Sequence, residues 1–351
     1  MSRYVIDALR TFGERALAAL GATADEARIL TDCLLDAERR TAPFQNQGLV
    51  RLAIYGRRLR EGGLTPNAAV TVIHETASSA LLDGGNGMGQ VVAHRAMTLA
   101  IAKSRVTGVG AVAARHSNHF GTASYFSLMA ARAGLVGWAL TNASPEMPAW
   151  GGATALVGTN PWSIAIPHPT GDPVVLDISN ATSGKGAIRH FAMTGRELPA
   201  DWALDPAGRP VTDPGEAAGA LLAPIGGYKG YGIALMIDLL TGGLGAGPVG
   251  TAVGSPYEFS RPQGVSHLTL ALDPGAFGGG AALEDAVRRL EREVRASPRQ
   301  PGVDAIYLPG DPEWLRAEEA RTRGIELTGD TLERLRALGE ETGVAFPEAV
   351  S

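Results

Sequence analysis

Among the seven histidines of this 351-residue chain, two stand three residues apart in Arg115-His116-Ser117-Asn118-His119-Phe120-Gly121. The apolar run Val109 to Ala114 before them reads as a buried strand, and Thr122 to Gly134 after them has helical length. Imidazoles at such a junction can face a ligand from a rigid support and exchange protons near neutral pH. If the helix begins at the motif, His116 and His119 share one face. Spacing alone equally permits two histidines that cap or pack a helix start.

A second candidate is Gln45-Asn46-Gln47-Gly48-Leu49-Val50-Arg51, with Tyr55 following. The planar fork of Arg51 suits a carboxylate, to which it makes two charge-assisted hydrogen bonds. A surface helix arginine is the plainer alternative. Gln47 can donate a hydrogen bond but cannot give up a proton near neutral pH.

These residues need elements to hold them. Residues 3–40 read as two helices, the second starting with Thr23 as N-cap and Glu26 at its third position. A third helix is expected from Gln47 to Glu61, stopped by Gly62-Gly63. From Val70 the pattern turns to strands, at 70–74, 80–83, 109–114, 135–140, 162–166, 174–178 and 268–272, with helices at 89–104 and 121–133. Residues 180–224 are Gly- and Pro-rich with little periodicity. Tyr231 to Leu244 reads as a long, buried apolar helix, and 284–297, 313–323 and 331–341 as late helices. The alternation predicts an α/β (α+β) fold. Its domains are a helical part over 1–68, with 281–351 packing on it, and a sheet domain over 69–280.

Gly85-Asn86-Gly87-Met88-Gly89 follows a strand and opens a helix. It lacks the Gly-x-Gly-x-x-Gly spacing, and Arg115 and His116 stand where a ribose-binding acid would be expected. A glycine turn of positive φ is expected there instead.

Composition narrows the classes further. With 45% hydrophobic and 19% charged residues the chain can bury a core. A net charge of −5 with no Lys/Arg cluster argues against nucleic acid or lipid headgroups as partners. Cys33 is the only cysteine, which excludes an intramolecular disulfide and fits a reducing cytoplasm. No signal peptide and no apolar run long enough to span a membrane is seen.

The motif Asn118-His119-Phe120-Gly121, with Met147-Pro148-Ala149-Trp150-Gly151-Gly152, Gly158-Thr159-Asn160-Pro161 and Gly226-Gly227-Tyr228-Lys229-Gly230-Tyr231-Gly232, resembles the signatures of the malate/L-lactate dehydrogenase family, in that family's order. That family is distinct from the Rossmann lactate dehydrogenases and includes ureidoglycolate, sulfolactate, 2,3-diketogulonate and piperideine-carboxylate enzymes. The resemblance runs from about Leu49 to Asp311. It implies a central mixed sheet with a non-Rossmann cofactor site, bracketed by N- and C-terminal helices, in a homodimer.

It also implies NAD or NADP as cofactor, held by Asp177-Ile178-Ser179, Lys229-Gly230 and Gly310-Asp311. A carboxylate ending a strand can accept ribose hydroxyls, and a lysine in a glycine loop before a helix can meet a phosphate. A helix-cap aspartate and a solvated loop lysine are the alternatives. The reaction implied is hydride transfer to or from C2 of a small 2-oxo/2-hydroxy acid or cyclic 2-imino acid, with no metal. Arg51 would hold the carboxylate, His119 would be the acid/base, and His116 and Asn118 would support substrate binding. Where the resembled family carries Ser-His, this chain has Asn46-Gln47, which are expected to donate hydrogen bonds to the carbonyl oxygen or a neighbouring polar group. That departure leaves three readings: His119 as sole acid, an iminium substrate that brings its own proton, or a non-catalytic dinucleotide-binding relative with a regulatory role.

Overall fold

The computed structural model describes residues 2–42, 45, 47–327 and 329–350. The chain opens with a short strand β1 (Ser2–Tyr4) and the helices α1 (Ile6–Ala19), α2 (Ala24–Arg40) and α3 (Arg51–Glu61). The Thr23/Glu26 capping box forms in both directions, and Gly62 ends α3 in the left-handed region. Next come β2 (Thr71–Glu75), β3 (Ser79–Asp83), α4 (Gly89–Thr107), β4 (Val109–Ser117), α5 (Ala123–Arg132) and β5 (Val136–Thr141). Short strands β6 (Met147–Pro148) and β7 (Ala155–Val157) precede β8 (Trp162–Ile166) and β9 (Val174–Ile178). Then follow α6 (Lys185–Thr194), β10 (Ala203–Leu204), β11 (Leu221–Leu222), α7 (Tyr228–Asp238) and β12 (Val265–Leu272). The chain ends with α8 (Gly280–Ala296), α9 (Asp311–Arg323), β13 (Ile325–Leu327) and α10 (Gly329–Thr342).

The centre is a seven-stranded mixed sheet of order β2-β3-β4-β12-β5-β8-β9. β3 and β4 are parallel and joined through α4, while the other neighbours are antiparallel. β12, late in the chain, lies in the middle: its Leu268 sits opposite Ala113 of β4 and Leu140 of β5. One sheet face is buried under α4 and α5 through Val92, Ala96, Met97, Val112 and Phe126. Ile237 of α7 covers Ala113, Leu140 and Leu268 on the other. The expected mixed sheet with flanking helices is therefore present.

The terminal helices share one core: Leu9, Phe12, Leu30 and Leu52 pack with Leu335 and Leu338. β1 pairs antiparallel with β13, which ties the two ends of the chain together. α8 differs, since no residue of it is buried.

The structure departs from four expectations. α3 starts at Arg51, four residues later than the pattern predicts; the Leu49 N–H goes to the Glu38 carboxylate, and Gly48 weakens a helix there. β4 runs on to Ser117 and α5 begins only at Ala123, so His116 and His119 do not share a helix face. The tract 180–224 contains α6, whose Gly184 start and Gly195 stop hide it in a glycine-rich background. α7 ends at Asp238 and passes into a π-turn over Leu239–Gly243; Ala234, Ile237 and Thr241 are buried, but Ile233, Met236, Leu239, Leu240 and Leu244 are exposed, so only one side of this apolar stretch is buried within the chain.

Candidate active site

α3 supplies three side chains from successive turns. Arg51, its first residue, is buried to 9% exposure, and its Nη1 lies 3.4 Å from the hydroxyl of Tyr257. Tyr55, one turn on, points its hydroxyl at His119 Nδ1 over 2.6 Å and receives Gln90 Nε2 at 2.9 Å. Arg58 is almost fully buried and donates to the carbonyls of Gly63, Glu258 and Arg261 and to Asn118 Oδ1.

His119 lies just beyond β4, in the turn before α5. Its backbone N–H ends on Gln263 Oε1 at 2.9 Å. A Cβ on Gly89 would collide with the carbonyl oxygens of Asn118 and His119, so α4 meets this turn backbone to backbone. Burial first, then the Arg51 charge, the His267 ring and the Arg58 charge, holds the His119 imidazole well below its ordinary range. His267 of β12 bridges Thr141 Oγ1 and Ser117 Oγ and stacks on Phe120; burial pushes it down to about 3. Both rings are therefore neutral at pH 7.

Two of the three segments expected at a cofactor meet at the end of β9, and the third, Gly310-Asp311, lies against its start. Asp177 Oδ2 accepts the Ser124 N–H in the first turn of α5, five residues after His119. Ile178 and Ser179 follow, and the Asn180 carbonyl accepts the Ile225 N–H, which brings in the Gly226-Gly227 loop and Lys229 in the first turn of α7. A Cβ on Gly230 would collide with the carbonyls of Ile225 and Asn180. Gly310, at φ 97°, packs on Val175 of β9, and Asp311 opens α9. Asp311 is engaged within the chain, by Arg295 at 2.9 Å and the Leu308 N–H at 2.8 Å.

Other candidates fall elsewhere. His116 is exposed, at φ 50°, and its Nδ1 lies 2.8 Å from Asp83 Oδ2, beside Arg115. Asn118 spends its amide on the framework: Oδ1 takes Arg58, and Nδ2 reaches Asn86 and the Gly87 carbonyl. The Gly85–Gly87 turn, with Gly85 and Asn86 at positive φ, is thus a brace for the histidine turn. Gln47 borders a small cavity with Glu38, Thr41, Gly48 and Thr331, which His119 does not line. Its Oε1 is buried without a hydrogen-bond partner among the described residues, and burial raises the neighbouring Glu38 to about 7. Asn46 lies outside the described residues.

Gln90, Arg58, Tyr257 and Gln263 carry no signal in the sequence that marks them for this site. Only Tyr55 has a local one, its spacing of four from Arg51.

The chain is similar to known proteins over nearly its whole length. The family model for malate/L-lactate dehydrogenase matches residues 5–336. The malate dehydrogenase of Pyrococcus horikoshii is 34% identical over 347 residues, covering 96% of this chain and 95% of that protein. The (2R)-3-sulfolactate dehydrogenase (NADP(+)) of Chromohalobacter salexigens is 35% identical, covering 96% and 98%. The crystal structure of delta1-piperideine-2-carboxylate reductase from Pseudomonas syringae superposes with a TM-score of 0.83 at 26% identity, over 96% of this chain and 100% of that one.

Proposed function

The chain belongs to the malate/L-lactate dehydrogenase family, and on that premise we infer the chemistry of its site. It is an NAD(P)-dependent dehydrogenase that moves a hydride to or from C2 of a small 2-oxo/2-hydroxy acid or cyclic 2-imino acid. The observation that carries the residue assignment is the meeting of Arg51, Tyr55 and His119, with the end of β9 near by, where Asp177 and the loop before Lys229 come together.

A glycine loop at a helix N-terminus with a lysine, next to an acidic strand end, fits a nicotinamide dinucleotide. Asp177, Ile178 and Ser179 would hold ribose, Lys229 and Gly230 phosphate, and Gly310 and Asp311 the remaining backbone contact. When bound, that cofactor supplies the hydride chemistry. Arg51 orients the substrate carboxylate by its fork. His119 meets the substrate oxygen, where charge develops as C2 is reduced. The low exposure of Arg51 and the half-buried setting of His119 strengthen these contacts. Asn118 and His116 support the turn rather than touch substrate.

The orphan acceptor of Gln47 favours a second reading of the substrate: a cyclic imine, whose N–H it could accept. The exposed apolar row Ile233, Met236, Leu240 and Leu244, with Trp150 and Tyr228, supports a homodimer. The lone buried thiol of Cys33 suits a cytoplasmic protein. No helix among the described residues is long and apolar enough to cross a membrane. We read 1–68 with 281–351 as the helical unit and 69–280 as the sheet unit.

The test is oxidation of NADH and NADPH against a panel of 2-oxo acids and cyclic imines. Activity that Arg51→Lys reduces without loss of cofactor affinity supports the assignment; equal loss of both contradicts it.

A further inference from the structure

Neither Gln90 nor Tyr55 performs a step of the hydride transfer, yet both are buried and joined to its centre. Gln90 Nε2 donates to the Tyr55 hydroxyl at 2.9 Å, and that hydroxyl lies 2.6 Å from His119 Nδ1. An amide nitrogen has only protons to give, so the phenol oxygen accepts there and its one O–H is left to donate to Nδ1. A ring nitrogen that accepts carries no proton, which leaves the proton of a neutral imidazole on Nε2.

We propose that Gln90 and Tyr55 are positioning residues that hold His119 as the neutral Nε2–H tautomer, so that it offers the substrate oxygen a hydrogen bond rather than a charge. The proposal rests on the reading that His119 faces that oxygen. Its neighbours are consistent: Arg51, His267 and Arg58 are the charged or titratable groups whose fields reach the ring, and the two arginines are cations that oppose a second ring proton. Burial also raises the Tyr55 phenol, so it keeps its proton rather than passing it to Nδ1. A neutral donor beside Arg51 stabilises a developing alkoxide without adding a second buried cation, and the alkoxide takes its proton from solvent as the product leaves.

The direction of the chain depends on the amide. Gln90→Glu, when ionised, can only accept; Tyr55 would then donate to it and accept from a protonated Nδ1. The experiment is ring-nitrogen NMR of full-length protein labelled with ¹⁵N-histidine, with His119→Asn used to assign the signal among the seven histidines. The expected result is a protonated Nε2, an unprotonated Nδ1 and no titration of His119 between about pH 8 and 6. Gln90→Glu and Tyr55→Phe should shift the proton toward Nδ1, and kcat should fall by about tenfold with cofactor affinity unchanged. A protonated Nδ1 in the wild type, titration near an ordinary imidazole value of about 6.5, or an unchanged tautomer in Gln90→Glu would overturn the proposal. The spectrum reads the ring independently of turnover. Full activity in His119→Asn would instead sink the placement of His119 in the reaction and leave the tautomer result standing.

Discussion

The turn around His119 and residues 47–50, ahead of α3, are held in opposite ways. At His119 the backbone N–H ends on Gln263, Nδ1 meets Tyr55, and Asn118 beside it is tied to Arg58, Asn86 and Gly87. In the other stretch Gln47 Oε1 is buried with no partner among the described residues, the facing Glu38 of α2 is raised to about 7, and the helix starts only at Arg51. A satisfied polar network fixes one geometry, whereas an orphaned acceptor leaves a place for something else to bind or rearrange. On the proposed assignment the first region carries the chemistry and the second the scope for specificity.

The largest effect should come from His119→Asn. Loss of the positioned imidazole donor should lower kcat/KM by about 10²- to 10³-fold, with cofactor affinity retained in a fluorescence titration. Arg58→Met tests the brace itself. It leaves several carbonyls without a donor, and chemical denaturation should show a loss of about 3 kcal/mol or more. Stability unchanged by that substitution would mean that the network does not hold the turn.

Much of this frame is legible in the residues alone. Thr23 and Glu26 announce a capping box that forms as expected, and the β-branched runs mark most sheet strands. What escapes is tertiary. Val265–Leu272 gives no sign that it sits between β4 and β5, because strand order is set by the whole sheet. Gln90 lies 35 residues from Tyr55, and Arg58 reaches a carbonyl 200 positions away, distances at which no spacing rule applies. The apolar run of α7 is legible as a helix, but its exposure is not, since a chain's partners are not written in its periodicity. Arg51 and His119 stand out because guanidinium and imidazole are groups suited to chemistry; their supports do not.

Acid should expose the neutral histidines. His267 titrates near 3 when folded, against about 6.5 when unfolded, so below that unfolded value the unfolded state takes up the proton first. Its contribution is constant above about pH 6.5 and is lost as pH falls toward 3, by about 1.4 kcal/mol per pH unit. His267→Gln should flatten that slope in urea melts run from about pH 7 to 5. The smallest effect should come from Gln47→Leu. Removing the orphan acceptor should leave stability within about 1 kcal/mol of wild type or raise it. Keto-acid turnover should hold, while turnover of cyclic imines should drop if Gln47 receives the ring N–H; equal losses for both would remove the specificity role.

The most direct test of the central claim is isotopic. The enzyme is given NADH or NADPH deuterated at the transferring carbon together with the substrate panel, and products are read by mass spectrometry and NMR. The account predicts one deuterium at C2 of the hydroxy or amino acid product, lost when His119 or Arg51 is replaced. Tight cofactor binding with no deuterium at C2 of any product would contradict it and leave a non-catalytic dinucleotide-binding protein.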